Sequence, residues 1–146
     1  MRVRESLEQR AFVQILRTYG WLHDEMSSLL KEQSLSEPQF NVLRILRGAG
    51  SNGLPCQAVA ERMITRYPDI TRLLDRLAAS GLVERDRSRD DRRVVVVTAT
   101  QKALELLGRL DRPVAELHLR QLGHMTRAEL KEIIRLLGRA RTERAS

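Results

Sequence analysis

The feature that most narrows the fold is a change of apolar period between Pro68 and Thr98. Ile70, Leu73, Leu74 and Leu77 recur at three- and four-residue steps, the period of a helix with one buried face. The pattern stops at Gly81, whose freedom at positive φ suits the end of a helix. Leu82–Arg87 and Val94–Thr98 then read as short extended segments, the second rich in β-branched side chains, separated by polar Ser88–Arg93. Pro68 biases Tyr67 away from helical angles. The expectation is therefore a helix from Pro68 to about Ala79, followed at once by a β-hairpin.

The flanks are helical throughout. Phe12, Ile15, Leu16, Tyr19, Leu22, Met26, Leu29 and Leu30 mark a long first helix over residues 5–32. Ser36, Pro38 and Gln39 form a capping box that opens a second helix running to about Arg47. Gly48, Gly50, Ser51, Asn52 and Gly53 break it, and Pro55 starts a short third helix with Val59, Ala60 and Met63 on one side. Thr100 caps a helix carrying Leu104, Leu107, Leu110, Val114, Leu117 and Leu122, in which Pro113 should cause a kink or interruption. Thr126 and Glu129 open a last helix with Leu130, Ile133, Ile134 and Leu137.

The fold class is thus mainly α with a β wing: a winged helix-turn-helix over residues 36–100, inside a single domain spanning 1–146. A short helix pair followed by a β-ribbon places its second helix where it can enter a major groove. The stripes of residues 5–32 and 101–141 exceed what that lobe needs for its own core, and predict dimerisation helices.

Composition bears on partners. Of 26 basic residues against 19 acidic ones, 23 are arginine and the net charge is +7, so a polyanion is an expected partner, although arginine usage can also reflect genome composition. The five aromatics are too dispersed to form a stacking platform for single strands, which favours duplex DNA. No apolar run approaches the roughly 18 to 20 residues of a membrane span, and no leader pattern follows Met1–Arg10, so the expected compartment is the cytoplasm. Cys56 has no internal partner for a disulfide, and no cofactor or metal is implied.

Projected at about 100° per residue, the outer arc of the 68–79 helix carries Pro68, Thr71, Arg72, Asp75 and Arg76. Arg72 lies almost opposite the apolar stripe. A guanidinium there can fork onto O6 and N7 of guanine or clamp a phosphate, and Thr71 can touch a thymine methyl. The competing reading is a solvated face of internal ion pairs. In Glu84–Arg93, five arginines stand against four acids, a net of +1. An ordered hairpin can use Asp90 or Asp91 to fix one arginine while Arg89, Arg92 or Arg93 reaches a phosphate or an adjacent minor groove.

The segments LSEPQFNVLRIL, ITRLLDRLAASGLVERDRS and DDRRVVVVTAT, from Leu35 to Thr100, closely resemble the MarR family of bacterial transcriptional regulators. The resemblance covers the whole chain in element order. It implies a homodimer joined by its first and last two helices, two winged lobes on a near-palindromic operator, and usually a repressor released by a small, often aromatic, molecule. It also implies that Thr71, Arg72, Asp75 and Arg76 belong to the recognition helix, and that Asp91 and Arg93 form the wing motif, the aspartate orienting the arginine toward the minor groove. One departure is visible: a T-x-x-G pattern is usual after the wing, whereas Thr100 is followed by Gln101, Lys102 and Ala103. An effector pocket implied by family architecture would use Tyr19, Trp21 and His23.

Other readings remain. Cys56 opens the third helix, where a thiolate redox sensor can form, but redox-sensing relatives carry their cysteine near the first helix. His23, His118 and His124 have only scattered carboxylates for company, which supports a metal site weakly. A nucleophile–base pair, a phosphate-cradling glycine loop and a histidine–carboxylate metal motif are all missing, so an enzyme is not expected. The remaining rival is a winged-helix module that binds protein and not DNA.

Overall fold

The computed structural model describes residues 5–142, so the outermost parts of the expected 1–146 domain lie outside the described residues. Six helices and a small sheet follow one another along the described residues: α1 (Leu7–Lys31), α2 (Glu37–Ala49), β1 (Leu54–Pro55), α3 (Cys56–Arg62), α4 (Ile70–Ala79), β2 (Val83–Arg87), β3 (Val95–Ala99), α5 (Gln101–Leu122) and α6 (Arg127–Ala140). The fold is a winged helix-turn-helix, and none of the described helices is long and apolar enough to cross a membrane.

Local chemistry sets most boundaries. Both capping boxes form: Ser36 accepts from the Gln39 N–H while Gln39 Oε1 accepts from the Ser36 N–H, and Thr126 and Glu129 do the same at α6. At the end of α4 the Leu82 N–H donates to the Leu77 carbonyl at 2.9 Å and the Gly81 N–H to that of Ala78 at 3.0 Å. With Gly81 at φ 71° and both leucines buried, this is the αL termination expected there.

Three boundaries differ from expectation. The fourth helix begins at Ile70 and not at Pro68, because the Asp69 side chain accepts from the Arg72 N–H at 3.0 Å and makes Asp69 the cap. Pro68 therefore lies in the connector and not on the helix face. Leu54 and Pro55 form an additional strand before the third helix, pairing with Val97 and Val96 in a sheet ordered β1-β3-β2. The helix through Pro113 is continuous from Gln101 to Leu122; proline removes one N–H donor without ending a helix packed along its length by Leu106, Leu107, Leu110, Val114 and Leu117.

The core lies between α2, α4, the sheet and α5. Val42, Leu43, Leu46, Val59, Leu73, Leu74, Leu77, Val97 and Leu107 are all at most 2% exposed. Polar links brace its edges: Arg47 Nη1 donates to both carboxylate oxygens of Asp111, at 3.0 and 2.9 Å, tying α2 to α5. Gln121, the one buried polar side chain of the described residues, donates to the Leu22 carbonyl and to Glu25, tying α5 to α1.

The outer helices do not spend their apolar faces within the chain. Phe12, Ile15, Leu16 and Tyr19 of α1 are exposed, and only Leu30 of that helix is buried. No residue of α6 is buried, and Ile134 is 72% exposed.

Close backbone approach makes Gly53 a fixed point of the sheet. Its φ is 65°, and a Cβ there would stand 2.4 Å from the Val97 carbonyl oxygen. Gly53→Ala is expected to destabilise the chain by about 1–3 kcal/mol through strain and separation of β1 from β3, measured by denaturant unfolding.

Candidate nucleic-acid interface

Burial of Leu73, Leu74 and Leu77 turns the opposite side of α4 outward, and Thr71, Arg72, Asp75 and Arg76 are all exposed. Asp75 is not a free charge on that face. It accepts from Arg85 Nη1 of β2, an ion pair that fastens the helix to the first wing strand. Among the described residues, Thr71 has no hydrogen-bonded side-chain partner, and neither Arg72 nor Arg76 makes an ion pair. The self-paired face considered above is thus limited to Asp75, whose partner lies on the wing; one hydroxyl and two guanidinium groups stay available for an external acceptor.

The wing is an ordered hairpin. β2 and β3 pair from Val83↔Ala99 to Arg87↔Val95, and the Ser88 N–H donates to the Val94 carbonyl at 2.8 Å to close the loop. Ser88 Oγ accepts from the Asp90 N–H at 3.2 Å, and Arg87 Nη1 donates to the Arg92 carbonyl at 2.7 Å, so both sides of the tip are tied down. Asp91 takes three bonds from Arg93: the backbone N–H at 3.0 Å, Nε at 3.1 Å and Nη2 at 3.3 Å. The guanidinium is held by a forked contact, yet Arg93 remains 92% exposed. Arg89 and Arg92 are exposed without ion pairs among the described residues.

The Arg93 side-chain bonds, reinforced by its backbone N–H, hold the Asp91 carboxyl below its ordinary range. A carboxyl whose folded value is depressed keeps its partner fully above the unfolded value and loses it as pH falls through the folded one.

Further positioning groups surround α4. Lys102 Nζ donates to the Ser80 carbonyl at 2.7 Å, and Thr100 Oγ1 donates to that of Gly81 at 2.7 Å while accepting from the Ala103 N–H. The departure from T-x-x-G thus costs no cap: Lys102 reaches back to the helix end, and Ala103 is fully buried. No local spacing announces the roles of Arg85 and Lys102, whose partners, Asp75 and the Ser80 carbonyl, belong to α4 and its cap, and Arg87 ties the tip through a backbone carbonyl that the residue pattern does not single out.

The expected effector residues divide. Tyr19 and His23 stack at 5.4 Å between centroids, and His23 Nδ1 meets Glu37 Oε2 at the start of α2. Trp21, two residues from each, points about 160° away by helical geometry and is exposed. Two surface depressions, each of about 400 Å³, lie at the start of α1, between Leu7 and Arg17, and near its end, where Asp24, Glu25 and Ser28 face Arg120; neither is lined by Tyr19, Trp21 or His23. Cys56 is half-buried, and the described residues hold no cluster of three His, Cys, Asp or Glu suited to a metal ion.

A family model described as MarR family matches residues 35–95. The crystal structure of a MarR transcription factor from Planctomyces limnophilus is 42% identical, covering 94% of this chain and 98% of that one, with a TM-score of 0.71. The chain belongs to the MarR family. The transcriptional repressor IacR of Pseudomonas putida is 28% identical over 130 residues, covering 89% of this chain and 77% of the repressor. A mutant MarR from E. coli, crystallised with operator DNA, shares the fold at a TM-score of 0.79 and 23% identity, over 88% of this chain and 91% of that one. The chain is accordingly a winged-helix transcriptional regulator of the MarR type.

Arg93→Ala is expected to return the Asp91 carboxyl toward its ordinary titration range, upward from its depressed value, as followed by NMR titration of the side-chain carbonyl. An unchanged midpoint would mean that the forked contact does not persist in solution.

Proposed function

We propose that the chain is a sequence-specific, homodimeric repressor that binds a near-palindromic operator through α4 and the wing and is released by a small, often aromatic, effector. The observation that carries this reading is the outward row Thr71, Arg72 and Arg76, without ion pairs among the described residues, while the apolar side of α4 is buried and Asp75 is tied to Arg85. Arg72 reads base edges in the major groove, with Thr71 and Arg76 beside it on bases or phosphates. Asp75 holds α4 against β2 and faces the duplex beside that ion pair. Arg93, oriented by Asp91, reaches into the flanking minor groove, and Arg89 and Arg92 meet phosphates. Pro68, exposed just before the Asp69 cap, abuts the backbone of the duplex.

Dimerisation is supported by the apolar faces of α1 and α6, which are too extensive to leave in water. In this reading residues 5–32 and 101–141 form the stem and 36–100 the lobe. Repression is supported by the Pseudomonas relative, a repressor by name. Effector release works through the two lobes: a molecule seated near Tyr19 and His23, at the junction of α1 and α2, favours a lobe spacing that does not match successive grooves.

Arg72→Ala is expected to lower operator affinity by about 1–3 kcal/mol and to narrow the gap between operator and scrambled duplex. Arg93→Ala is expected to weaken both duplexes alike and to reduce the salt slope by about 1. Fluorescence anisotropy across a salt series distinguishes them; equal loss on both duplexes for Arg72→Ala contradicts base reading, and no duplex affinity at physiological salt favours a protein-binding module. Ile134→Asp, at a side chain that supports nothing in its own chain, is expected to convert the dimer to a monomer in sedimentation while helix content is kept.

A further inference from the structure

The recognition helix is reached through the connector Met63–Asp69, and this stretch is sparsely held. Met63 donates its N–H to the Ala60 carbonyl at 3.4 Å, and at the far end the Leu73 N–H donates to the Asp69 carbonyl. Between them, among the described residues, one hydrogen bond joins the connector to the rest of the molecule: the Ile64 N–H donates to Asn41 Oδ1 of α2 at 2.8 Å. Met63 and Tyr67 pack against the core, but apolar contact is non-directional and does not by itself set the path of the backbone. The Ile64 side chain is 82% exposed and anchors nothing.

Asn41 is well placed to set that path. It stands on α2 beside Val42 and Leu43, both fully buried, so its backbone moves with the core. Its short side chain places one acceptor over a span of 23 residues, on the backbone of the segment that ends in the Asp69 cap. We infer that Asn41 is a positioning residue for DNA reading: by holding the Ile64 N–H it fixes the connector, and through it the placement of Arg72 relative to the wing. This rests on the proposed operator-binding reading.

The test uses the full-length chain, the duplex that the wild-type chain selects from a random pool, and a scrambled duplex of the same composition. Asn41→Ala is expected to speed amide exchange at Ile64 by about three- to tenfold, the value of one lost hydrogen bond, without change in α2 or α5. Preference for the selected duplex should fall by a similar factor while affinity for the scrambled one is kept. Asn41→Asp, which keeps an acceptor at the same reach, should retain slow exchange and most of the preference. Asn41→Gln, one methylene too long, should behave as Asn41→Ala does, and serves if the alanine variant fails to fold. Unchanged Ile64 exchange in both disruptive variants, faster exchange with unaltered preference, or an aspartate variant no better than alanine would overturn the inference. A wild-type chain that selects no duplex refutes the operator reading alone, and the exchange measurements still decide whether Asn41 orders the connector.

Discussion

The outward face of α4 depends on three leucines that face inward. Leu73, Leu74 and Leu77 are each at most 2% exposed, and burying a leucine side chain is worth about 1.5–3 kcal/mol. No surface ion pair on α4 approaches that sum, so the rotation of the helix about its axis is set by burial. Once it is set, the 3.6-residue repeat leaves Thr71, Arg72, Asp75 and Arg76 no alternative to the outer side. The wing is placed by the same core, since Val83 and Val97 are buried within it.

Burial fixes rotation but leaves tilt and translation soft, and there the polar contacts matter. The Asp69 cap, the Asp75–Arg85 pair, Lys102 on the Ser80 carbonyl and Thr100 on the Gly81 carbonyl all act on α4 or its ends. Each is modest in energy and directional in geometry, which suits groups that aim a helix more than they stabilise it. The Asp91–Arg93 fork does the same for one side chain of the wing. Aiming matters because a forked contact to a base edge tolerates little displacement. The apolar surfaces of α1 and α6 belong to a different scale: they are exposed within the chain, and in the proposed reading a second copy covers them.

Much of this was legible in the residues. Periodicity located all six helices, since each stripe is apolar at the steps a helix requires, and the Ser36 and Thr126 boxes and the Gly81 termination formed as their chemistry demands. Boundaries set by a single local contest were not. Pro68 is suited to a first turn, yet Asp69 captured the Arg72 N–H and moved the start of α4. The two-residue strand at Leu54–Pro55 has no periodicity to read and exists because β3 offers it a partner. For the site, the outward row followed from projection alone, and exposure agrees with it for each helix residue. The role of Asp75 did not, because Arg85 meets it only once the wing has folded back, and the same holds for Asn41 and Ile64. Tyr19 and His23 share a face through four-residue spacing, and Trp21 is excluded from it by the same geometry.

If α4 and the wing act as proposed, two copies of one outward row read two inverted half-sites. Selection of duplexes from a random pool by the purified full-length chain, followed by sequencing, tests it most directly. The expected result is enrichment of an inverted repeat whose half-site centres lie about one helical turn, roughly 10 base pairs, apart. Recovery of the input pool unchanged, or of a single half-site with no symmetry mate, would contradict it.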